Sequence, residues 1–533
     1  MTAERFIVEG SDRTLIPGSV FERTLSPDEL VSVTLRLRSR AGDLRGRANE
    51  MAVLPLRDRK YVAREDADKE MGANPQDVNA ILAIAKEHGI EAFVSPISGR
   101  TIHARIPAGR MQEIFGTDLG VYILPNQTTY RGRDGTISLP PILPIETGRS
   151  IQGVFGLDNR RQAWPSISQL EELAIFVTNM FPASYDLPSD LDGKGQCIGI
   201  LEFGNAYSRE RIGTYYGVDT SNIQTVTLDN IQISEPVGDW FSLEVGLDLA
   251  IASQIAKNAN IVFYFAPSTE QGWVDSLDTA VHDTVHRPGV LSISFGCREE
   301  KWTQNGVDAV DELLAEAAIL GITVCVASGD HGADLDPSSC PRVMLPASSS
   351  YTLACGGTML TRQNQHQREC TWNDAHGASG GGISERIPRP KWQPPLIPAT
   401  IGNLPKVNND GRLLPDVAAI AHGLYAAVGG SNPPVSGTSA AAPLWAALLA
   451  CANQKLRGLG KNTAGHFTPL LYQPSFSGVC TDVLCGNNGS PGYAAGPNWD
   501  ACTGWGSPIG SELVSALLQS ASAKLSLVRK EDE

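Results

Sequence analysis

A chain of 533 residues is too long for one ordinary domain and long enough to bury a large core. With 19% charged and 42% hydrophobic residues, its composition is that of a soluble globular protein rather than a disordered or membrane one. The formal charge of -15 excludes the basic surplus that would release counterions from phosphates, so no nucleic-acid partner is expected.

No membrane partner is expected either, because the longest apolar run, 440–452, is too short to span a bilayer. Residues 1–9 lack the basic start and apolar core of a signal peptide, so an export route is not readable there. Among the ten cysteines, Cys325 and Cys355 lie in apolar runs and read as buried thiols. Cys480, Cys485 and Cys502 cluster near the C-terminus and could hold a disulfide. Zinc is disfavoured there by the absence of a paired C-x-x-C or a nearby histidine.

In chain order, Val31 to Arg38 alternate apolar and polar residues, which predicts a half-buried strand. Asn74-Pro75 predicts a helix start, as cap and first-turn proline, and Gly89 its end. Strands are expected at Glu91 to Ser95 and Thr101 to Ile106, a short helix from Pro107 to Phe115, and a strand from Leu119 to Leu124. The order β-α-β-β-α-β is that of a ferredoxin-like split βαβ unit. The stretch from Gly132 to Gly148, rich in Pro and Gly, and the arginine-marked 157–161 read as a protease-accessible linker.

From Gln196 onward strands and helices alternate. Strands are expected at Cys197 to Phe203, Asn260 to Ala266, Gly289 to Phe295 and Ile322 to Ala327. Helices are expected at Asp239 to Lys257, with Asp239 as cap, and at Val307 to Leu320. The strand runs are continuously apolar, as in a parallel sheet covered on both faces. That makes the module a doubly wound α/β domain, whose functional residues should gather past the carboxyl ends of its strands.

Three carboxylates stand out against that frame. Glu244 and Asp248 are four apart on an otherwise apolar helix, so they share a face about 6 Å apart along the axis. Burial and mutual repulsion should raise their pKa values and make them share protons. Asp330 directly follows a strand in Ala327-Ser328-Gly329-Asp330-His331-Gly332, a position that also suits an ordinary turn. Further on, Gly437-Thr438-Ser439 opens a run of small and apolar residues, with Pro443 in the first turn, that predicts a helix buried all round. A serine there lies near free backbone N–H groups, a good place for a nucleophile.

Together and in this order, E-x-x-x-D on a helix, S-G-D-x-G after a strand and G-T-S-x-x-x-P before a helix resemble the sedolisins, the serine-carboxyl peptidases. The likeness is to kumamolisin-type members and covers essentially the whole chain, the N-terminal module looking like the family's propeptide. It implies a subtilisin-like doubly wound parallel-sheet catalytic domain, residues 166–533, preceded by an α+β ferredoxin-like propeptide domain with its linker, residues 1–165. Carried over, Ser439 is the nucleophile, Glu244 its general base, Asp248 the acid that supports Glu244, and Asp330 the oxyanion-hole aspartate. Glu202 and Trp302 look similar to a glutamate and a tryptophan that extend this network in some members. Phe295 departs from the family pattern, where tryptophan is common, and so does His331, where serine is common.

The resemblance also implies one Ca2+ near the C-terminus, held by carboxylates of Asp482 and Asp500 and carbonyls of Val483, Gly496 and Asn498. Oxygen donors from a loop are what calcium requires. Asn498 stands where glycine is usual. Partners implied are protein or peptide substrates and the chain's own propeptide as an intramolecular inhibitor, with the protein a monomer. The family implies acidic surroundings outside the cytoplasm.

The chemistry is consistent without the family. A histidine base with a pKa near 6.5 is protonated in acid, while a glutamate near 4.3 still accepts a proton there. Asp330 must keep its proton to donate to an oxyanion. A subtilisin-type peptidase would need a histidine base in H-G-T-x-V, yet none of His88-Gly89, His331-Gly332, His376-Gly377 and His422-Gly423 continues with Thr. The expected function is an acid-active, self-processing serine endopeptidase. The alternatives are tripeptidyl-peptidase specificity, a catalytically silent homologue that binds, and an esterase or acyltransferase using the same serine.

Overall fold

The computed structural model describes residues 5–522 apart from 96–97, 167, 170–184, 205–207, 217–218, 230, 235–239, 334–342, 364–365, 397, 403–409 and 426–433. In the N-terminal module the alternating run forms β1 (Leu30–Leu37), with Val31, Val33, Leu35 and Leu37 buried on one core. Helix α1 (Pro75–Glu87) starts as expected, the Asn74 side chain accepting from the Gln76 N–H. Strands β2 (Glu91–Val94) and β3 (Thr101–Pro107), helix α2 (Met111–Phe115) and strand β4 (Ile151–Phe155) complete the unit. The sheet order is β2-β3-β1-β4, that of a split βαβ fold.

The closing strand differs from the expected one. Gly120–Ile123 pairs instead with Val20–Thr24 and Thr129–Gly132 in a separate three-stranded sheet. Thr129–Gly132 follows so closely in the chain that a hairpin closes at little entropic cost and takes that edge. The expected linker from Gly132 to Gly148 therefore lies inside the module, and β4 follows it. The connection to the second module starts beyond Phe155 and contains two short strands, β5 (Trp164–Pro165) and β6 (Ser168–Gln169).

The second module is built on β7 (Cys197–Glu202), β8 (Ile223–Thr227), β9 (Asn260–Phe265), β10 (Val290–Ile293), β12 (Thr323–Ala327), β13 (Leu353–Gln363), β14 (His366–Thr371) and β15 (Val417–Ile420). A further strand, β11 (Phe295–Arg298), follows β10 directly, and β16 (Pro434–Ser436) precedes Gly437. The main sheet runs β8-β9-β7-β10-β12-β13-β14, with β15 also pairing β13, and every pair except β13–β14 is parallel. Helices α3 (Trp240–Ile255) and α6 (Ala441–Gly458) share one core with Ile198 and Ile200 of β7. Helices α4 (Glu270–His282) and α5 (Gln304–Ile319) share the other with Leu201. Strand side chains alternate between the two, which is why these runs read as apolar throughout. Every residue of α6 from Ala441 to Asn453 is buried, as the unbroken small and apolar run requires. The Asp239 cap lies outside the described residues.

The N-terminal module docks on α4 and α5 through buried charge. Arg36 of β1 reaches Asp278 at 2.7 Å and Glu316 at 2.5 Å, and Arg100 binds Glu316 and Glu312. His282 Nε2 lies 2.9 Å from the other Glu316 oxygen. Burial alone would raise the Glu316 pKa, but Arg36, Arg100 and His282 together bring it down to about 2. In the C-terminal cysteine cluster, Cys485 is bonded to Cys370 of β14, whereas Cys480 and Cys502 are free thiols. Cys325 and Cys355 are free and buried.

Candidate active site

Ser439 sits in a tight turn, Thr438–Ala440, that leads directly into α6, and it is fully buried. Its hydroxyl donates to the Ser294 carbonyl at 3.3 Å. Ser294 occupies the single position between β10 and β11, at the carboxyl end of a central strand. Its own hydroxyl donates to Oδ1 of Asp248 at 2.8 Å and lies 3.2 Å from the Ser439 carbonyl. Ser294 thus touches the serine with its backbone and the acid with its side chain.

Glu244 and Asp248 project from α3 and Glu202 ends β7, and all three are fully buried. Burial raises the Glu202 and Glu244 pKa values well above the usual carboxyl range, and the neighbouring Asp248 raises both further. Burial also raises Asp248, and the Ser294 hydroxyl opposes that rise. The Ser439 and Ser294 hydroxyls lie beside Glu244 and temper its shift, although neither Glu244 oxygen closes a well-formed hydrogen bond. These acids hold protons at pH values where an exposed carboxyl has lost them, and the group as a whole titrates together.

Asp330 follows β12, where Gly329 turns the chain at φ 111°, a conformation natural to glycine. Its Oδ1 accepts from both the Thr438 N–H and the Thr438 hydroxyl at 2.8 Å, which fixes it beside Ser439. Its Oδ2 is buried without a hydrogen-bond partner among the described residues. Burial lifts the Asp330 pKa to about 7 against the pull of Thr438. Below that pH the carboxyl holds a proton, and Oδ2 is the oxygen free to donate it.

The connection between the two modules crosses this site. Strand β5 pairs antiparallel with β11, Trp164 opposite Gly296 and Pro165 opposite Phe295. Strand β6 pairs antiparallel with β16, Ser168 opposite Ser436 and Gln169 opposite Val435. Between them, the Ser166 N–H donates to the Ser294 carbonyl at 3.0 Å, and the Ser166 carbonyl accepts the Ser439 N–H at 3.2 Å. Strands β5 and β6, with Ser166, therefore lie against the strands that flank Ser439.

Trp302 is buried, but its indole N–H is given to the Cys297 carbonyl at 3.3 Å and its ring lies 5.9 Å from that of Trp273. Both Glu202 oxygens are without a hydrogen-bond partner among the described residues, so the structure does not join Trp302 to Glu202. The departure Phe295 packs its ring against Phe203 at 5.3 Å. His422 lies near Ser436, with Nδ1 2.7 Å from Asp374 and 3.1 Å from the Ser436 hydroxyl. Ser294, Thr438 and Ser166 take places in this site that the sequence does not mark.

The C-terminal loop gathers its oxygen-bearing residues. Asp482 accepts the Asn498 N–H at 2.7 Å, and Asp500 accepts the Gly496 N–H at 3.0 Å as well as those of Cys502 and Thr503. Asn498 adopts φ 65°, the left-handed conformation that asparagine tolerates. No group of three or more His, Cys, Asp and Glu side chains suited to a metal is found among the described residues. An ion bound here would rest on two carboxylates and on backbone carbonyls such as that of buried Val483, a donor set of oxygens that suits calcium.

Two family models match the chain, the Pro-kumamolisin activation domain over residues 17–160 and the Subtilase family over 237–472. Kumamolisin from Bacillus sp. (strain MN-32) is 35% identical over 97% of both chains. Tripeptidyl-peptidase sed5 from Aspergillus fumigatus is 25% identical over 96% of this chain and 97% of its own. The solved structure of Pseudomonas sedolisin, a serine-carboxyl proteinase complexed with two molecules of pseudo-iodotyrostatin, superposes with a TM-score of 0.56 at 26% identity. It covers 66% of this chain and 100% of that one.

Proposed function

The chain belongs to the sedolisin family of serine-carboxyl peptidases, and from that premise we propose an acid-active endopeptidase made as a self-processing precursor. Ser439 attacks the peptide carbonyl, Glu244 takes its proton when the coupled group of acids has given one up, Asp248 steadies Glu244, and protonated Asp330 donates to the oxyanion beside the Ser439 N–H. Glu202 extends the shared-proton group. Trp302 has no part, because its N–H is already committed to Cys297. Residues 1 to about 165 are the inhibitory propeptide and the rest is the peptidase domain.

The observation that carries this reading is the set of four buried acids converging on one buried serine, with Ser294 linking Asp248 to Ser439. A site so desolvated favours protonated carboxyls and works where they share protons, in acid. Endopeptidase cleavage is favoured over removal of N-terminal tripeptides, because the segment crossing the site continues as chain on both sides. One Ca2+ at Asp482, Val483, Gly496, Asn498 and Asp500 would brace the C-terminal loop by neutralising two carboxylates. The test is digestion of acid-denatured protein and of an N-terminally blocked peptide near pH 4 and pH 8, with Ser439→Ala as control. The reading requires internal cleavage at the acid pH that the mutant lacks. Release of tripeptides only, or undiminished cleavage by Ser439→Ala, would contradict it.

A further inference from the structure

We infer that the bond after Ser166 is the one this precursor cuts in itself, so that the mature chain begins with Ile167. The same register says what the peptidase accepts, namely an extended strand with a small residue just before the cut and proline before that. This inference rests on the serine-peptidase reading and adds to it the bond and the substrate class.

Ser166 is placed by contacts from both sides. A carbonyl about to be attacked must sit against the serine and a backbone N–H that can receive its developing charge. The Ser166 carbonyl accepts the Ser439 N–H at 3.2 Å, and the Ser166 N–H is held by the Ser294 carbonyl at 3.0 Å. Ser294 is also the residue whose carbonyl takes the Ser439 hydroxyl. The flanking ladders fix the register independently, β5 on β11 before Ser166 and β6 on β16 after it. A slip by one residue would turn every side chain to the opposite face and break both ladders.

The neighbouring residues are committed elsewhere. Arg160 is bound to Asp158 and the Thr14 carbonyl, and Arg161 lies over the Trp164 ring at 5.4 Å. Ala163 is tied to Ser268 through both its N–H and its carbonyl. The Ser166 residue is 4% exposed, so the position before the cut is enclosed, whereas Trp164 is 41% exposed and its position tolerates varied side chains. Pro165 brings no N–H, and no bond to its nitrogen is needed to hold the strand.

In the step itself, the Ser439 hydroxyl proton passes to Glu244 as its oxygen bonds the Ser166 carbonyl carbon. The proton then passes to the nitrogen of Ile167 as the C–N bond breaks and the new amine leaves. Water adds to the Ser166–Ser439 ester, which releases the Ser166 carboxyl and restores the hydroxyl.

The experiment is N-terminal sequencing and intact mass of the full-length precursor over time at about pH 4, beside Ser439→Ala and Ser166→Trp. Alongside, the peptide spanning residues 162–172 is digested in trans and its products mapped. The expected first new N-terminus is Ile167, absent in Ser439→Ala and formed about tenfold more slowly or less in Ser166→Trp, with the peptide cut at the same bond. A first cut elsewhere, in precursor or peptide, dependent on Ser439, overturns the inference and leaves the peptidase reading standing. Failure to cut precursor, peptide and denatured protein alike overturns both.

Discussion

The Ser294 hydroxyl donates to Oδ1 of Asp248 at 2.8 Å while the Ser294 carbonyl accepts the Ser439 hydroxyl. One residue outside the sequence motifs therefore touches both Asp248 and Ser439. Ser294→Ala keeps the carbonyl contact to Ser439 and deletes the hydroxyl's contacts to Asp248 and the Ser439 carbonyl. A net hydrogen bond of about 1 kcal/mol predicts a fall in kcat of roughly fivefold with KM little changed. With the hydroxyl gone, only Glu244 still opposes the burial of Asp248, so the Asp248 pKa rises and the acid limb of the pH profile moves up. Ser294→Thr, which keeps a hydroxyl, should recover part of the rate.

Asp330 supplies a second, separable effect. Its pKa of about 7 means that its donor proton is present in acid and is lost as pH rises through that value. Asp330→Asn keeps an acceptor for Thr438 and offers an N–H that does not titrate, so the activity loss near pH 7 should weaken or move. Asp330→Ala removes the donor and should cost about 10²–10³ in kcat, the usual loss for one oxyanion donor. Steady-state rates from pH 3 to 9 for the three proteins check both statements.

These residues were unequally legible in the sequence. Ser439, Glu244, Asp248 and Asp330 carry spacing that survives without a structure: a helix face, a strand end, a turn before a buried helix. Ser294 carries none, because one serine in an apolar strand resembles any satisfied core serine until its neighbours are known. The closing strand of the first module is not legible in the sequence, because β-pairing is long-range and Gly120–Ile123 finds a nearer partner in Thr129–Gly132. The Cys370–Cys485 bond was equally hidden, since its ends are 115 residues apart and only folding brings β14 to that loop. Trp302 carries no signal of its own in the sequence, and its indole N–H is given to the Cys297 carbonyl.

The Arg36 cluster makes the propeptide interface resistant to moderate acid. Glu316, with a pKa lowered to about 2, contributes stability above its unfolded value near 4.3 that is lost as pH falls through about 2. Uncleavable Ser439→Ala precursor should therefore keep its propeptide docked at pH 4, as judged by a single melting transition, and begin to lose it only toward pH 2. Arg36→Ala leaves Asp278 and Glu316 buried without that partner and should destabilise the precursor by about 3–5 kcal/mol in denaturant titrations.

The C-terminal loop predicts a calcium-dependent stability. Ca2+ at about 100 times its Kd should stabilise the fold by about 2.7 kcal/mol. Adding a chelator should lower Tm, calcium should restore it, and magnesium should not. In Asp500→Asn or Asp482→Asn the calcium response should shrink while the melt without calcium changes little.

The most direct test of a carboxylate-based serine peptidase is the pH dependence of kcat/KM on an N-terminally blocked peptide, measured for the mature enzyme and for Glu244→Gln. The account predicts a rate highest in acid that falls as pH rises through about 7, where Asp330 loses its proton, and a loss of about 10³ or more in Glu244→Gln at every pH. A rate that climbs from pH 4 to pH 8 through the histidine range, or one that survives Glu244→Gln, would contradict it.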